Sequence, residues 1–231
     1  MDIKDLYDKY KECNFEVCTD TRSIKKDSLF FALIGSNFNG NKFVHQALNS
    51  GCKYAVCDDD SIKGENIINV ESSLKTLQKL ANFHRNIFDI PFLAITGSNG
   101  KTTTKELLSE VLLKKYNLLY TSGNLNNHIG VPLTLLKLRK DHDFALIEMG
   151  ANKPGDIQEL CEIVDPTHGI ITNIGLAHIE GFGNREGVLN TKTELYRYII
   201  KRGGTLFVNN NEEYLIQHTN GHPEVIEFGG D

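Results

Sequence analysis

The run Phe92-Leu-Ala-Ile-Thr96, followed without a break by Gly97-Ser-Asn-Gly100-Lys101-Thr-Thr103, constrains this chain more than any other segment. The first five residues read as a buried strand, the glycines allow a tight reversal, and a helix opens at Lys101. A strand that turns through glycines into a helix aims backbone N–H groups and a helix N-terminus at one point. That point suits an anion, with the Lys101 ammonium beside it. The spacing falls short of the full GxxxxGK[ST] pattern, because Ile95 stands where the first glycine belongs. A strand-to-helix turn with no ligand is therefore the competing reading. As a phosphate cradle, Gly97, Ser98, Asn99, Gly100, Lys101, Thr102 and Thr103 would receive a nucleotide. Lys101 would then reach the terminal phosphates and the Thr102 hydroxyl would ligate Mg²⁺.

The strand-then-helix pattern recurs downstream. Residues 144–148 read as a strand followed by a helix near 156–164, residues 169–172 as a strand followed by a helix near 186–200, and residues 205–208 as a last strand. Such alternation predicts an α/β fold with a parallel sheet covered by helices on both faces, and ligands at the carboxyl ends of its strands. Upstream, short apolar runs at 28–34, 54–57 and 67–70 read as strands, with a helix over 42–50 that stops at Gly51. Leu74, Leu77, Leu80, Ala81, His84 and Phe88 then recur at three- and four-residue steps behind Ser72 and Ser73, which describes an amphipathic helix ending before Pro91. A length of 231 residues suits two domains, a small α/β unit over 1–88 and the cradle-bearing sheet over 89–231.

A formal charge of −5 leaves no general basic field for nucleic acid or anionic membrane, so anion binding has to be local. No apolar signal core follows Met1 and no run approaches a membrane span, which places the chain in the cytoplasm by expectation. Cys13, Cys18, Cys52, Cys57 and Cys161 match neither a zinc nor a CxxC spacing, and reduced, buried thiols are expected.

Three further positions could carry chemistry. Glu148 ends an apolar strand, where its carboxylate could meet a metal or simply face solvent. His178 follows another strand and could ligate a metal, orient phosphate or be structural. Lys192, among Asn190, Thr191, Thr193 and Glu194, reads as the start of a helix, where an ammonium would repel Mg²⁺ and serve as surface charge. The loop holding Asn124, Asn126, Asn127 and His128 offers donors and acceptors to a polar substrate.

In order along the chain, residues 96–104, Gly123-Asn-Leu-Asn-Asn-His-Ile-Gly-Val-Pro132, Glu148-Met-Gly150, Asp165-Pro166, Thr172-Asn-Ile-Gly175, Ala177-His-Ile-Glu180 and Thr191-Lys-Thr-Glu194 resemble the Mur ligase family. The loop at 123–132 and the Glu-Met-Gly are most similar to its branch that adds D-alanyl-D-alanine to UDP-N-acetylmuramoyl-tripeptide in cell-wall synthesis. Thr19-Asp-Thr-Arg22, with Asn39 and Gly40, resembles the family's site for the UDP end of the substrate, although Asn39 and Asn41 replace the Asp and His that relatives often carry.

The resemblance implies an ATP-dependent ligase in which the γ-phosphoryl group passes to a peptide carboxylate and the acyl phosphate is attacked by the incoming amine. It implies that Lys101, Glu148, His178 and Lys192 are the catalytic set. Thr102, Glu148 and His178 would hold Mg²⁺ together with Lys192 as a carbamate, while Thr19, Asp20, Thr21, Arg22, Asn39, Gly40, Asn126 and Asn127 would contact the substrate. It also implies a third domain beyond Asp231, so the chain reads as a truncated ligase with an incomplete central domain. Two other readings compete with it. One is a fragment that binds nucleotide or UDP-sugar without chemistry. The other is a ligase like folylpolyglutamate synthase, which typically begins near the cradle.

Overall fold

Two separate sets of parallel strands, each with its own helices, organise the chain. A computed structural model describes residues 1–175 and 179–230, the side chains of Ile179 and Glu180 excepted. The first unit holds Met1–Ile87 together with Leu135–Lys137, and the second holds Phe88–Thr134 and Leu138–Asp231. No helix among the described residues is long and apolar enough to cross a membrane.

In the first unit, α1 (Ile3–Glu12) starts where Asp2 accepts from the N–H of Ile3, and it buries Leu6 and Tyr10. Strands β1 (Val17–Cys18) and β2 (Leu29–Phe31), the hairpin of β3 (Ile34–Gly35) and β4 (Phe38–Asn39), and α2 (Val44–Asn49) follow. Next come β5 (Tyr54–Cys57), β6 (Ile67–Asn69) and α3 (Ser73–Arg85), the last capped by the Ser72 hydroxyl. The four-stranded sheet runs β1-β2-β5-β6, all parallel. The run at 28–34 is thus not one strand. Gly40 donates its N–H to the carbonyl of Leu33 at 2.8 Å, which folds the chain back just past β2. A Cβ on Gly40 would lie 2.5 Å from that carbonyl oxygen, so only glycine permits the approach. The expected helix over 42–50 is likewise a 3₁₀ turn at Gly40–Phe43 followed by α2. All five cysteines are free thiols and buried, and burial pushes the Cys13 thiol up to about 12.

The second unit alternates β7 (Phe92–Thr96), α4 (Lys101–Leu112), β8 (Leu118–Tyr120), α5 (Gly130–Leu135), β9 (Phe144–Glu148), α6 (Asp156–Val164) and β10 (His168–Ile171). It continues through α7 (Ile179–Phe182), α8 (Arg185–Lys192), α9 (Glu194–Arg202), β11 (Thr205–Asn209), α10 (Glu213–Gln217) and β12 (Val225–Phe228). Six parallel strands lie in the order β12-β11-β10-β7-β9-β8, with β7 buried along its whole length. Leu93, Ile95, Leu118, Leu146 and Ile170 form one face of the core. Burying such side chains stabilises by about 1.5–3 kcal/mol each. Ile95 pairs in register with Glu148 on β9, and Thr96 with Ile171 on β10, so the turns after these strands open at one level.

The helix expected over 186–200 is two helices that meet at Thr193. The Thr193 hydroxyl bonds back to the carbonyl of Leu189 at 2.8 Å, a pattern that bends a helix. Lys192 therefore closes α8 rather than opening a helix.

Candidate active site

The cradle is held in shape by the loop that leaves β10. Ser98 donates its N–H to the carbonyl of Asn173 (2.9 Å) and its hydroxyl to that of Gly175 (3.2 Å). The N–H of Asn99 meets Asn173 Oδ1 at 3.1 Å, and the carbonyl of Asn99 accepts from Thr172 Oγ1 (2.7 Å) and Asn173 Nδ2 (3.0 Å). Gly97, at φ +145°, sits so close to Thr172 that no side chain fits. α4 begins at Lys101 with no side-chain cap, so its first-turn N–H groups remain available to an anion, with Thr102 and Thr103 in that turn. Lys101 Nζ reaches back over the turn to the carbonyls of Gly97 (2.7 Å) and Ser98 (3.1 Å). Burial pulls its pKa down, with the Glu148 charge opposing.

Glu148 lies at the end of the neighbouring strand with no exposed surface. Its Oε1 accepts from Thr102 Oγ1 at 3.1 Å and from Asn126 Nδ2 at 2.7 Å, and its own N–H donates to Thr121 Oγ1 at 2.9 Å. The second oxygen, Oε2, is buried and has no hydrogen-bond partner among the described residues. An orphaned carboxylate oxygen beside a threonine hydroxyl and a phosphate cradle is the donor set a hard divalent cation such as Mg²⁺ takes, so these residues fit that ion.

Lys192 is not the surface charge its neighbours in sequence suggest. Only 3% of it is exposed, and its helix α8 packs against α6 and α9. Its pKa falls to about 8, first through burial and then through the like charge of Lys101, against the pull of Asp156 and Glu194. Its ammonium lies 5.8 Å from the centre of the Phe182 ring. His178 lies outside the described residues. Among the described residues no group of three or more His, Cys, Asp or Glu is arranged for a metal.

Asn126 and Asn127 line a cavity of about 160 Å³ together with Lys101, His128, Gly150 and Asp156. Asn127 Oδ1 is already occupied by the N–H groups of Ile129 (3.0 Å) and Gly130 (2.9 Å), where it starts α5, so only its NH₂ end is left to face a ligand. In the first unit, Thr19, Asp20, Thr21 and Arg22 line a cleft of about 660 Å³ with Phe38 and Phe43. The two rings stack at 5.2 Å. Arg22 forks onto Asp20, with Nη2 to Oδ2 at 2.6 Å, and holds that carboxyl down at about 2. Asn39 and Gly40 do not line this cleft. Asn39 Oδ1 accepts from the N–H of Asn41 at 3.0 Å, and Gly40 packs against residues 32 and 33, so both serve the local turn.

The Mur ligase middle domain matches residues 95–231, and the Mur ligase family catalytic domain matches residues 16–85. The chain belongs to the Mur ligase family. Among members of that family, it is 45% identical over 183 residues to the UDP-N-acetylmuramoyl-tripeptide–D-alanyl-D-alanine ligase of Synechocystis, covering 78% of this chain and 40% of the relative. The Bacillus subtilis enzyme of the same name is 38% identical, with 87% of this chain and 44% of the relative covered. Crystal structures of MurF from Acinetobacter baumannii and of MurF from Thermotoga maritima in complex with ADP both superpose with a TM-score of 0.86. Their identities to this chain are 36% and 32%. Each alignment covers 93% of this chain, with 48% of the Acinetobacter and 50% of the Thermotoga protein. The chain thus spans less than half the length of the curated Mur ligases it matches.

Several residues shape the site in ways that their sequence neighbours do not reveal. Thr172 and Asn173, seen in the sequence only as part of a family motif, brace the cradle from the loop after β10. Glu194 accepts from the N–H groups of Gly155 (2.9 Å) and Gln158 (2.8 Å) and so caps α6 from 39 and 36 residues away. Lys105 reaches two main-chain carbonyls beyond β8.

Proposed function

We propose that this chain carries the precursor-binding and ATP-binding parts of a ligase that joins D-alanyl-D-alanine to UDP-N-acetylmuramoyl-tripeptide through an acyl phosphate. The observation that carries the proposal is Glu148, with Oε1 fixed by Thr102 and Asn126 and Oε2 buried and open beside the glycine cradle. The names of the relatives at 45% and 38% identity support the choice of substrates.

In this reading, the first-turn N–H groups of α4 and the Lys101 ammonium neutralise the phosphates, which is most of what a phosphoryl transfer asks of a protein. Mg²⁺ held by Thr102 and Glu148 would supply further neutralisation of charge on the phosphate oxygens. The cleft at Thr19–Arg22 would hold the UDP end, and the NH₂ group of Asn127 would face the peptide, with Asn126 lining the same cavity. Lys192 joins the metal-holding set through its chemistry with CO₂. Burial lowers its pKa to about 8, so a useful fraction is neutral amine near pH 7–8. That amine adds CO₂ and releases a proton, which turns a repelled cation into an oxygen donor.

Calorimetric titration of MgATP into the chain and into its Lys101→Ala variant tests the reading. The wild type should bind, and the variant should lose binding while keeping its unfolding midpoint, because among the described residues Lys101 hydrogen-bonds only to the turn it would release to phosphate. Equal binding by the two proteins, or no binding by the wild type, refutes it.

A further inference from the structure

One turn beyond Lys101 on α4, Lys105 is a lysine with no exposed surface and no part in the chemistry proposed above. Its three N–H donors meet three acceptors: the carbonyls of Thr121 (2.7 Å) and Gly123 (3.0 Å), and Glu106 Oε1 (2.8 Å). An ammonium has three hydrogens to give, so this charge is fully answered. A buried cation is nevertheless costly to desolvate, and an apolar side chain of similar length would fill the same space. The reason for an ammonium here must lie in what it holds.

It holds the chain as it leaves β8. Thr121 is the residue whose hydroxyl accepts the N–H of Glu148, and three residues beyond Gly123 the side chain of Asn126 donates to Glu148 Oε1 at 2.7 Å. The carbonyl of Asn126 in turn accepts from the N–H of Gly150 at 2.7 Å, so the loop closes on both ends of the Glu148-Met-Gly150 segment. The Thr121 N–H donates to the carbonyl of Leu146 on β9 at 3.1 Å, but among the described residues the carbonyls of Thr121 and Gly123 have no main-chain partner, and Lys105 takes that place.

We propose that Lys105 is a positioning residue: by clamping the carbonyls of Thr121 and Gly123 it aims Asn126 at Glu148, so that one carboxylate oxygen is occupied and the other stays open. The proposal rests on Glu148 as the metal-facing carboxylate. Glu106, half exposed, balances the charge from the solvent side.

The test uses the full chain, titrated with MgATP. Lys105→Met should weaken binding at least tenfold, as should Asn126→Ala. Because Lys105 acts through Asn126, the double variant should be no more than threefold weaker than Asn126→Ala alone. Glu106→Gln should stay within twofold of wild type. A readout that needs no nucleotide is the side-chain NH₂ signal of Asn126 in ¹⁵N-labelled protein. It should shift and exchange faster in Lys105→Met while the β7 amides keep their positions. If Lys105→Met does not fold, Lys105→Gln, which keeps an NH₂ donor but is too short to reach both carbonyls, takes its place with the same expectations. An unmoved Asn126 signal, wild-type affinity, or losses that add in the double variant overturn the proposal. A wild-type chain that binds no MgATP would instead overturn the function proposed above, and the Asn126 signal would still decide the role of Lys105.

Discussion

Gly97→Ala is the smallest change that should dismantle the cradle, and its cost can be worked from two independent sources. A Cβ at position 97 would lie 2.0 Å from Thr172 Oγ1 and 3.1 Å from the Thr172 Cβ and main-chain nitrogen. Thr172 must then rotate away, giving up its 2.7 Å bond to the carbonyl of Asn99, a loss of about 1 kcal/mol. The second source is the backbone: alanine at φ +145° carries strain of roughly 1–3 kcal/mol. Together the substitution should destabilise the second unit by about 2–4 kcal/mol and loosen the turn that presents N–H groups to phosphate. Urea unfolding followed by circular dichroism would measure the first effect, and MgATP calorimetry the second. Thr172→Ala separates the two sources. Alone it should cost about 1 kcal/mol, but combined with Gly97→Ala it removes the closest collision, so the double variant should be more stable than the sum of the singles predicts. A Gly97→Ala protein with wild-type stability and affinity, or a strictly additive pair, would refute the steric argument.

Other expectations follow from the charged groups. Lys192 titrates near 8 in the fold against 10.5 ordinarily, so between these values the unfolded chain binds more protons and stability rises with pH; below 8 the buried charge costs roughly 3 kcal/mol. In CO₂-free buffer, Lys192→Met should therefore be more stable than wild type at pH 7, with the gap closing by about pH 10.5; a gap that does not change with pH would sink the idea. Asp20, held at about 2 by Arg22, should stay ionised as pH falls from 8 to 4, so UDP affinity measured by amide shifts at Thr19–Arg22 should not follow a carboxylate titration near pH 4. A midpoint near 4 would show that the Asp20–Arg22 fork is absent in solution. The five buried thiols, with Cys13 raised to about 12, should resist a maleimide at pH 7.5 until denaturant is added, and rapid labelling of the native chain would contradict their burial.

How far the site could be read from the sequence depends on whether each residue's partners lie nearby in the chain. Strands β7 and β9 stand where their apolar runs place them, because five and four buried residues, bounded by a glycine turn or a strand-end acid, leave little choice. Helix α1 is not among the elements expected from the sequence: Ile3, Leu6, Tyr7 and Tyr10 recur at three- and four-residue steps, but the charged residues around them mask the pattern. β8 has only three residues and β12 lies at the sheet edge with Ile226 half exposed, so neither gives a periodic signal.

Lys192 shows a subtler limit. Polar neighbours imply solvent, but Thr191 Oγ1 bonds to the carbonyl of Gly187 at 2.8 Å and Thr193 Oγ1 to that of Leu189 at 2.8 Å. Each threonine thus satisfies its hydroxyl within its own helix and can be buried as cheaply as an apolar residue, and the lysine between them goes inside with them. The same logic governs Lys105 and Glu194, whose partners are carbonyls and N–H groups 16 to 39 residues away. Side chains that would meet a ligand directly sit in local motifs, since a phosphate or a metal needs several donors at one turn. Those that aim them answer to main-chain groups whose nearness exists only once the sheet has formed, and they are where substitutions should separate binding affinity from fold.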